Sequence, residues 1–397
     1  MTAELSERAR AILGVVRARG GEVSRSELAS SLGIARATVT EGLAELESLN
    51  LILPSAPSAS TGGRPAQTFH LNPNGAAIGI IDVGGSRTRV GIANLTGEIL
   101  QDALLGELVS TGPEVILGWA VTTLTDMFAT LTDQSTRRAI IIGLPGPVDF
   151  TSGRVVSPPL MSNWQGFDVR AYVAERLQGS IVIDNDVNLI ALAEQRLEYP
   201  DSQVMLVIKL GTGIGGGLVI NGTVLRGARG AAGDIGHIQS TRAHGGQCRC
   251  GHIGCVEAVA GGWALVQALQ DRGIEVDNVS DVAHLVRDGD PTATSHVRAA
   301  AKVVGQATAQ AVSLLNPDTV VIAGEMLAAG DTVLATIRES IYQYSLPLAT
   351  HDLRLVPSAL GPLVGLRGGT ELGIDVLTGA VRIQQLESAL PAMEEST

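Results

Sequence analysis

The segment Ile78-Gly-Ile-Ile-Asp-Val-Gly-Gly-Ser-Arg87 decides the fold of the larger part of this chain. Its first six residues are mostly β-branched and two glycines follow, which predicts a buried strand that ends in a tight turn. An apolar hairpin partner is predicted at residues 90–94. Similar short apolar runs, each followed within two residues by Gly or Asp, recur at residues 140–144, 181–183, 204–210 and 319–322. This repetition predicts an α/β fold with mixed sheets in two similar lobes.

The first 74 residues follow a different pattern, that of three short helices and a hairpin. Residues 9–19 and 35–49 carry apolar side chains at helical spacing, and Ser24 with Glu27 forms a capping box for a helix between them. Residues 51–53 and 67–71 predict two strands around a tip at residues 58–65. We therefore expect a winged helix-turn-helix DNA-binding domain over residues 1–74, the alternative being a small packing or dimerisation domain. The expected DNA contacts are Arg36, Thr38, Thr40 and Arg64.

The charge distribution limits where DNA can bind. The 397 residues carry a formal net charge of −12, whereas binding to DNA phosphates requires clustered Lys and Arg. Residues 1–74 are neutral, with seven Arg and seven Glu, so the rest of the chain holds 21 of the 28 basic and 33 of the 40 acidic side chains. DNA contacts are expected from the N-terminal segment alone. The chain has neither an apolar signal segment at its start nor a run of about 20 apolar residues, so we expect a cytoplasmic protein without a membrane span.

All three cysteines lie within eight residues, at Cys248, Cys250 and Cys255. Together with His237 they offer three thiolates and one imidazole, a tetrahedral ligand set typical of Zn²⁺. Four protein ligands close the coordination shell, so the predicted zinc is structural. By spacing alone, His244 and His252 compete with His237 for the fourth position. Three free cysteines in a loop are the alternative to any metal.

Two glycine-rich loops follow predicted strands. Backbone N–H groups in such loops often face an anion. Neither loop is a Walker motif or a dinucleotide fingerprint, and a glycine run after a strand is more often only a turn. The residues of these nucleotide-like loops are Asp82, Gly84, Gly85, Gly211, Thr212 and Gly213.

Four polar side chains are candidates for a sugar site. Asn185 and Asp186 follow the strand at residues 181–183, and ligands of open α/β sheets bind at the carboxyl ends of strands. An amide and a carboxylate there can hydrogen-bond sugar hydroxyls, and Asp186 can accept a proton from one of them. A capped helix start is the alternative. Asp234 and Glu257 flank the predicted metal ligands, so a bound metal would position two more carboxylates.

Over nearly its whole length the chain resembles the ROK family of repressors, open reading frames and sugar kinases. The motifs that carry the resemblance keep the family's order and spacing: Asp82-Val-Gly-Gly-Ser86, Gly143-Leu-Pro-Gly-Pro-Val-Asp149, Asp184-Asn-Asp186, the stretch from Leu210-Gly-Thr-Gly213 to Gly236-His237, and Cys248-Arg-Cys-Gly-His-Ile-Gly-Cys-Val-Glu257. The resemblance implies an actin-like (ribonuclease H-like), two-lobed sugar-kinase fold over residues 75–397, with a zinc loop at residues 237–257.

The resemblance also implies roles for single residues. Zinc would be bound by His237, Cys248, Cys250 and Cys255, and sugar hydroxyls by Asn185, Asp186, His237 and Glu257. In the family's kinases the residue that matches Asp186 is the catalytic base. Members with an N-terminal winged helix are similar to the xylose, glucose and N-acetylglucosamine repressors. This implies operator DNA, a monosaccharide effector and a homodimer or tetramer as partners.

Two departures from the kinase pattern bear on activity. The family's kinases usually have Glu where this chain has Asp234, and a Gly-rich segment where it reads Ile322-Ala-Gly-Glu-Met326. A carboxylate at Glu325 would repel a nucleotide phosphate if it faced the cleft. The sequence therefore predicts a sugar-responsive repressor whose phosphoryl transfer is absent or feeble. The alternative is an active, glucokinase-like enzyme that carries a DNA-binding domain and uses ATP and Mg²⁺.

Overall fold

The computed structural model describes residues 5–55, 67–131, 138–150, 152–156, 161–240 and 245–379. Arg64, with the rest of the predicted tip, and His244 lie outside the described residues. Among the residues described, no helix is both long enough and apolar enough to cross a bilayer.

The N-terminal domain consists of three helices and one small sheet. The helices are α1 (Glu7–Arg19), α2 (Arg25–Leu32) and α3 (Arg36–Ser48), and the strands are β1 (Val23–Ser24), β2 (Ile52–Pro54) and β3 (Thr68–Leu71). The strands pair antiparallel in the order β1-β3-β2. The predicted capping box is confirmed, because the Ser24 hydroxyl accepts from the N–H of Glu27 and the Glu27 carboxylate accepts from the N–H of Ser24. These helices and strands are the elements that the predicted winged helix-turn-helix requires, together with the short strand β1.

The first lobe is built on a five-stranded mixed sheet with the order β10-β7-β4-β5-β6. Its strands are β4 (Ala77–Val83), β5 (Thr88–Asn94), β6 (Ile99–Leu105), β7 (Arg138–Leu144) and β10 (Ser180–Asn185). A two-stranded ribbon and two helices complete the lobe: β8 (Val148–Asp149), β9 (Arg154–Val155), α4 (Pro113–Ala129) and α5 (Val169–Ala174).

The second lobe repeats the topology of the first. Its sheet has the order β13-β12-β11-β14-β15, formed by β11 (Val204–Leu210), β12 (Ile214–Ile220), β13 (Thr223–Val224), β14 (Thr319–Ala323) and β15 (Arg354–Pro357). In both sheets three consecutive strands pair antiparallel, and the two later strands add in parallel beside the first of the three. The two similar lobes predicted from the sequence are confirmed.

Helices fill the space around and between the sheets. They are α6 (Asp186–Ala193), α7 (Glu257–Ala260), α8 (Gly262–Gln270), α9 (Val279–Arg287), α10 (Pro291–Leu315), α11 (Asp331–Tyr344), α12 (Pro347–Thr350) and α13 (Val364–Thr378). Helix α6 packs on β11 and β12, α13 packs on β4 and β7, and the two helices pack on each other. Close approach between them requires glycine, since a Cβ on Gly368 would lie 1.8 Å from the carbonyl oxygen of Leu189. This helix pair joins the two lobes at the base of the cleft.

A cluster of ion pairs connects the N-terminal domain to this helix pair. Arg17 of α1 forms ion pairs with Glu371 and Asp375 of α13, the second at 3.6 Å between Nη1 and Oδ1. Arg196, in the π-helical turn Glu194–Glu198 that follows α6, pairs with the same two carboxylates at 3.3 and 2.7 Å. Both carboxylates are buried, with side chains about 7% exposed. The N-terminal domain therefore contacts helix α13 through charged side chains.

Candidate functional site

The cavity between the lobes lies at the carboxyl ends of β10 and β11, and its volume is about 100 Å³. The structure places every side chain predicted to contact sugar in the lining of this cavity: Asn185, Asp186, Asp234, His237 and Glu257. Lys209 also lines it and was not predicted.

Asn185 and Asp186 lie at the junction of β10 and α6. The side-chain oxygen of Asn185 accepts from the N–H of Val187 at 2.9 Å, and its amide nitrogen donates to the carbonyl of Gly146 at 2.8 Å. Asn185 thus caps α6, the role that the sequence left open as the alternative. Asp186 is the first residue of the helix and is buried beside the cavity. The capping interaction fixes the direction of the neighbouring carboxylate.

The carboxylate of Asp186 forms an ion pair with the ammonium group of Lys209, the last residue but one of β11. Burial alone would lower the pKa of Lys209, but the carboxylates of Asp186 and Asp82 outweigh it and raise that pKa. Burial raises the pKa of Asp82 to about 6, an effect that Lys209 opposes and Asp186 reinforces. These three groups form one electrostatic unit at the floor of the cleft, with Lys209 as its cation.

Glu257 and Asp234 reach the cavity from the segments next to the cysteines. One carboxylate oxygen of Glu257 accepts from the N–H of Ile214 at 2.8 Å, and the other lies 3.4 Å from the indole nitrogen of Trp263. Glu257 is buried, whereas the Asp234 side chain is 43% exposed and lies 4.0 Å from Nε2 of His237. Burial raises the pKa of Asp234, and His237 opposes this shift. Glu257 is therefore held rigidly, and Asp234 is open to a ligand.

His237, Cys248, Cys250 and Cys255 form a cluster that fits a metal ion. Their ligand atoms all lie within 4.8 Å of one another. The Sγ atoms of Cys250 and Cys255 are 3.7 Å apart, close to the roughly 3.8 Å that tetrahedral Zn–S bonds of about 2.3 Å require. His252 is exposed, and its Nδ1 lies 3.5 Å from Cys250 Sγ. The mutually close set includes His237 and not His252, in agreement with the ligands implied by the family resemblance.

His237 connects the cluster with the cavity. Its Nδ1 lies 3.6 Å from Cys248 Sγ, while Nε2 is directed toward Asp234. A metal ion on Nδ1 would leave Nε2–H free to donate toward the cavity and would fix the ring in that tautomer. His237 thus belongs both to the cluster and to the lining of the cavity.

The two glycine-rich loops meet across a second cavity of about 320 Å³, next to the first. A Cβ on Gly85 would lie 2.8 Å from the Cβ of Thr212, so the loops are in direct contact. Of the six predicted loop residues, five line this cavity and Gly213 lines the first. Glu325 also lines it, where its carboxylate accepts from the Ser86 hydroxyl and pairs with Arg87, both at 3.1 Å. The Glu325 carboxylate, which was expected to repel a nucleotide phosphate, is therefore paired with Arg87.

Three of the four candidate DNA-contacting residues lie on α3, and the fourth, Arg64, lies outside the described residues. Arg36 is the first residue of the helix and is exposed, as is Thr40, whose hydroxyl donates to the Arg36 carbonyl at 2.9 Å. Thr38 is half-buried, so it faces solvent less than the sequence pattern indicates. Arg36 and Thr40 are the two candidates that the described structure exposes.

Two functional features escaped the sequence analysis. Lys209 was recognisable as the single charge in an otherwise apolar strand, directly before a glycine loop. The partners of Asp184 were harder to predict. Its buried carboxylate accepts from Asn188 at 2.8 Å and from both Nε and Nη2 of Arg226, at 2.9 and 2.7 Å. Arg226 is 42 residues away in sequence, and nothing in the local pattern indicates the pair.

Comparison with known proteins places these features in a family. A family model described as the ROK family matches residues 78–375. A glucokinase from Halalkalibacterium halodurans is 29% identical over 309 residues, which is 73% of this chain and 92% of that protein. A xylose repressor from Caldicellulosiruptor bescii is 26% identical over 361 residues, 85% of this chain and 88% of the repressor.

The solved structures include a match over nearly the whole chain. A crystal structure described as a ROK family transcriptional regulator, a homolog of the Escherichia coli MLC protein, superposes with a TM-score of 0.80 at 26% identity. The match covers 96% of this chain and 98% of the regulator. The superposition thus extends over the N-terminal domain as well as both lobes.

Proposed function

Because the chain belongs to the ROK family, we propose that it is a sugar-responsive transcriptional repressor. In this proposal the winged helix binds operator DNA, a monosaccharide binds between the lobes, and sugar binding changes the affinity for DNA. In this proposal the protein acts on the chromosome, in the cytoplasm of a bacterium. Binding of two operator half-sites calls for a homodimer or a tetramer.

The whole-chain match to a regulator is the observation that carries this proposal. It covers 96% of the chain, whereas the similarity to the Halalkalibacterium halodurans glucokinase covers 73%. The exposed start of α3, with Arg36 and Thr40, supports the DNA-binding part. The ion pairs between Arg17 and α13 support the coupling, because they tie the DNA-binding domain to the helix that packs on α6.

The sugar site of this proposal consists of the polar groups around the first cavity. Asp186, Asp234 and Glu257 offer carboxylate oxygens to sugar hydroxyls, and His237 offers its Nε2. Asn185 holds the start of α6 in place and has one amide hydrogen left for the ligand, since Gly146 takes the other. Deleting one of these groups would leave a sugar hydroxyl unpaired, which costs roughly 1–3 kcal/mol.

We propose further that the cluster at His237, Cys248, Cys250 and Cys255 binds one structural Zn²⁺. Three thiolates and an imidazole favour zinc over the oxygen-preferring cations. The ion would hold the loop in place and orient His237 toward the sugar.

Metal analysis tests the zinc proposal. The protein purified without chelator should hold one zinc per chain. Cys248→Ser should lose it and weaken sugar binding, because His237 is itself a ligand and Glu257 lies two residues after Cys255. His252→Ala is the matched control and should keep full zinc content. Loss of zinc in His252→Ala would show that His252, and not His237, is the fourth ligand. Zinc retained in Cys248→Ser would contradict Cys248 as a ligand.

An active sugar kinase remains the second candidate function, supported by the glucokinase relative and by the contact between the two glycine-rich loops. Two measurements separate the candidates. Thermal shift with a panel of monosaccharides should identify the effector as the sugar that raises the unfolding temperature. Coupled ATP turnover with the same panel should then show no sugar phosphorylation above background. Turnover that depends on Asp186 would establish the kinase instead.

A further inference from the structure

Lys209 occupies a position that the proposed function does not use. It lies in β11 between the two cavities and lines both of them. Its strand neighbours, from Val204 to Leu210, are all apolar, and its side chain is only 24% exposed. A buried ammonium group is stable only when charges or acceptors surround it.

Two carboxylates supply those charges. Asp186 forms the ion pair with Lys209, and Asp82 interacts with the same ammonium group through its charge. Both aspartates also border Gly143: a Cβ built there would lie 3.4 Å from the Cα of Asp186 and 3.6 Å from Oδ1 of Asp82. Asp82 also lines the second cavity together with Lys209. Carboxylate oxygens are the ligands that Mg²⁺ or Mn²⁺ prefers in proteins.

The nucleotide side of the cleft is also occupied by the chain's own groups. Arg87 and Ser86 both hold the carboxylate of Glu325, at 3.1 Å each, in the lining of the second cavity. A nucleotide that entered would have to break the Arg87–Glu325 pair and would face an uncompensated carboxylate. Neither the metal nor the nucleotide of a phosphoryl transfer fits the residues present.

We propose that Lys209 is a built-in counter-ion, which takes the place between Asp82 and Asp186 that a divalent cation would need. The single positive charge of the ammonium group offsets one of the two carboxylate charges, so the site is partly compensated without metal. Sugar then binds in the first cavity independently of Mg²⁺ and of nucleotide. The inference rests on the proposed function only in treating that cavity as the sugar site.

Mn²⁺ binding tests the proposal without any sugar. The full-length, zinc-loaded protein is titrated with Mn²⁺ at pH 8, and the bound fraction is measured by electron paramagnetic resonance. The wild-type chain should bind no Mn²⁺ in the cleft. Lys209→Gln should bind one Mn²⁺ in the cleft, because the two carboxylates lose their cation. Adding Asp82→Asn to Lys209→Gln should abolish that binding.

Two controls separate the charge from the side chain's other effects. Lys209→Arg keeps the charge and should bind no Mn²⁺. Lys302→Gln removes an exposed lysine from α10 and should also bind none. The proposal is overturned if the wild-type chain binds Mn²⁺ and Asp82→Asn removes it, a result available even if Lys209→Gln does not fold. It is equally overturned if folded, zinc-containing Lys209→Gln binds no more Mn²⁺ than the wild type. Either result would leave the repressor proposal standing, because neither concerns sugar or DNA.

Discussion

Single polar side chains carry the proposed chemistry, and their surroundings decide which role each takes. Asp184 and Asp186 are two residues apart at the end of β10, yet Asp184 is enclosed by Arg226 and Asn188 while Asp186 borders the cavity beside Lys209. The sequence places both at the carboxyl end of a strand. It cannot separate their roles, because the partners that distinguish them come from distant strands and loops.

Arg36 is the residue expected to carry most of the DNA recognition from α3. Replacing it by Ala should weaken operator binding by about 1–3 kcal/mol if it contacts a base, with a loss that depends on the DNA sequence. A phosphate contact would give a uniform loss and a shallower salt dependence. Arg298→Ala, an exposed arginine on α10, is the control and should bind DNA normally. Equal DNA affinity of Arg36→Ala and the wild type on every sequence would exclude Arg36 from the interface.

Asp318 is a residue at which pH and stability are linked. Burial opposes ionisation, but hydrogen bonds from Ser202, Thr319 and the N–H groups of Val204 and Gln203 prevail and lower its pKa to about 2. Because the folded pKa is below the unfolded value of 3.8, the ionised group stabilises the fold above about pH 4. This contribution is lost as the pH falls through about 2.

Thermal unfolding of Asp318→Asn checks this linkage. The side chain is 39% exposed, so we expect a loss of only about 1 kcal/mol at pH 7, or roughly 2–4 °C in unfolding temperature. The difference from the wild type should shrink between pH 4 and pH 2. A difference that stays constant over that range would mean that the charge of Asp318 is not the cause.

At the scale of helices and strands, apolar periodicity and caps predicted most elements. Strand β11 has the predicted bounds, and α1 and α3 differ from prediction by no more than two residues at either end. Strand β1 was missed because its two residues form a strand only through pairing with β3. The π-helical turn after α6 was missed for a similar reason, since its arginine is held by carboxylates of α13. Local sequence does not encode such partners.

Replacing a helical glycine by alanine should have opposite effects on stability at the contact between α6 and α13 and at an open position in α1. Gly368→Ala should destabilise the lobes by about 1–3 kcal/mol or more, because the new Cβ meets the carbonyl of Leu189. Gly14→Ala in α1 is the matched control: nothing lies within 4 Å of its Cβ position, so it should stabilise by about 0.5–1 kcal/mol. Chemical unfolding measures both changes. A Gly368→Ala variant as stable as the wild type would contradict the close packing of the two helices.

The scale of the whole molecule is where the sequence was least informative. The two lobes were predictable because their strands recur with the same local pattern. The connection between the domains was not, since Arg17 and Glu371 are 354 residues apart and each looks like an ordinary surface charge in its own helix. Helix α6 starts in the cavity at Asp186 and leads into the turn that carries Arg196. The proposed sugar site is thus connected through α6 to the ion pairs that hold the N-terminal domain. We expect this cluster to transmit sugar binding.

Arg17→Ala tests that transmission. The two carboxylates would keep Arg196, so the lobes should stay folded and the sugar dissociation constant should be unchanged. The factor by which sugar changes DNA affinity, typically about 5–150 in coupled systems, should fall toward one. Arg19→Ala is the matched control, because Arg19 lies on the same helix and pairs with Glu27 inside the N-terminal domain. Equal coupling in Arg17→Ala and Arg19→Ala would remove the cluster from the signalling route.

The most direct test of sugar-responsive repression is operator binding followed by fluorescence anisotropy while the effector sugar is added. For the wild-type chain we predict that the sugar changes DNA affinity at least about fivefold, whether or not Mg²⁺ and ATP are present. Asp186→Ala should bind the same DNA and ignore the sugar. DNA affinity that no monosaccharide alters, together with ATP-dependent phosphorylation of a sugar that requires Asp186, would contradict a sensor and establish an enzyme.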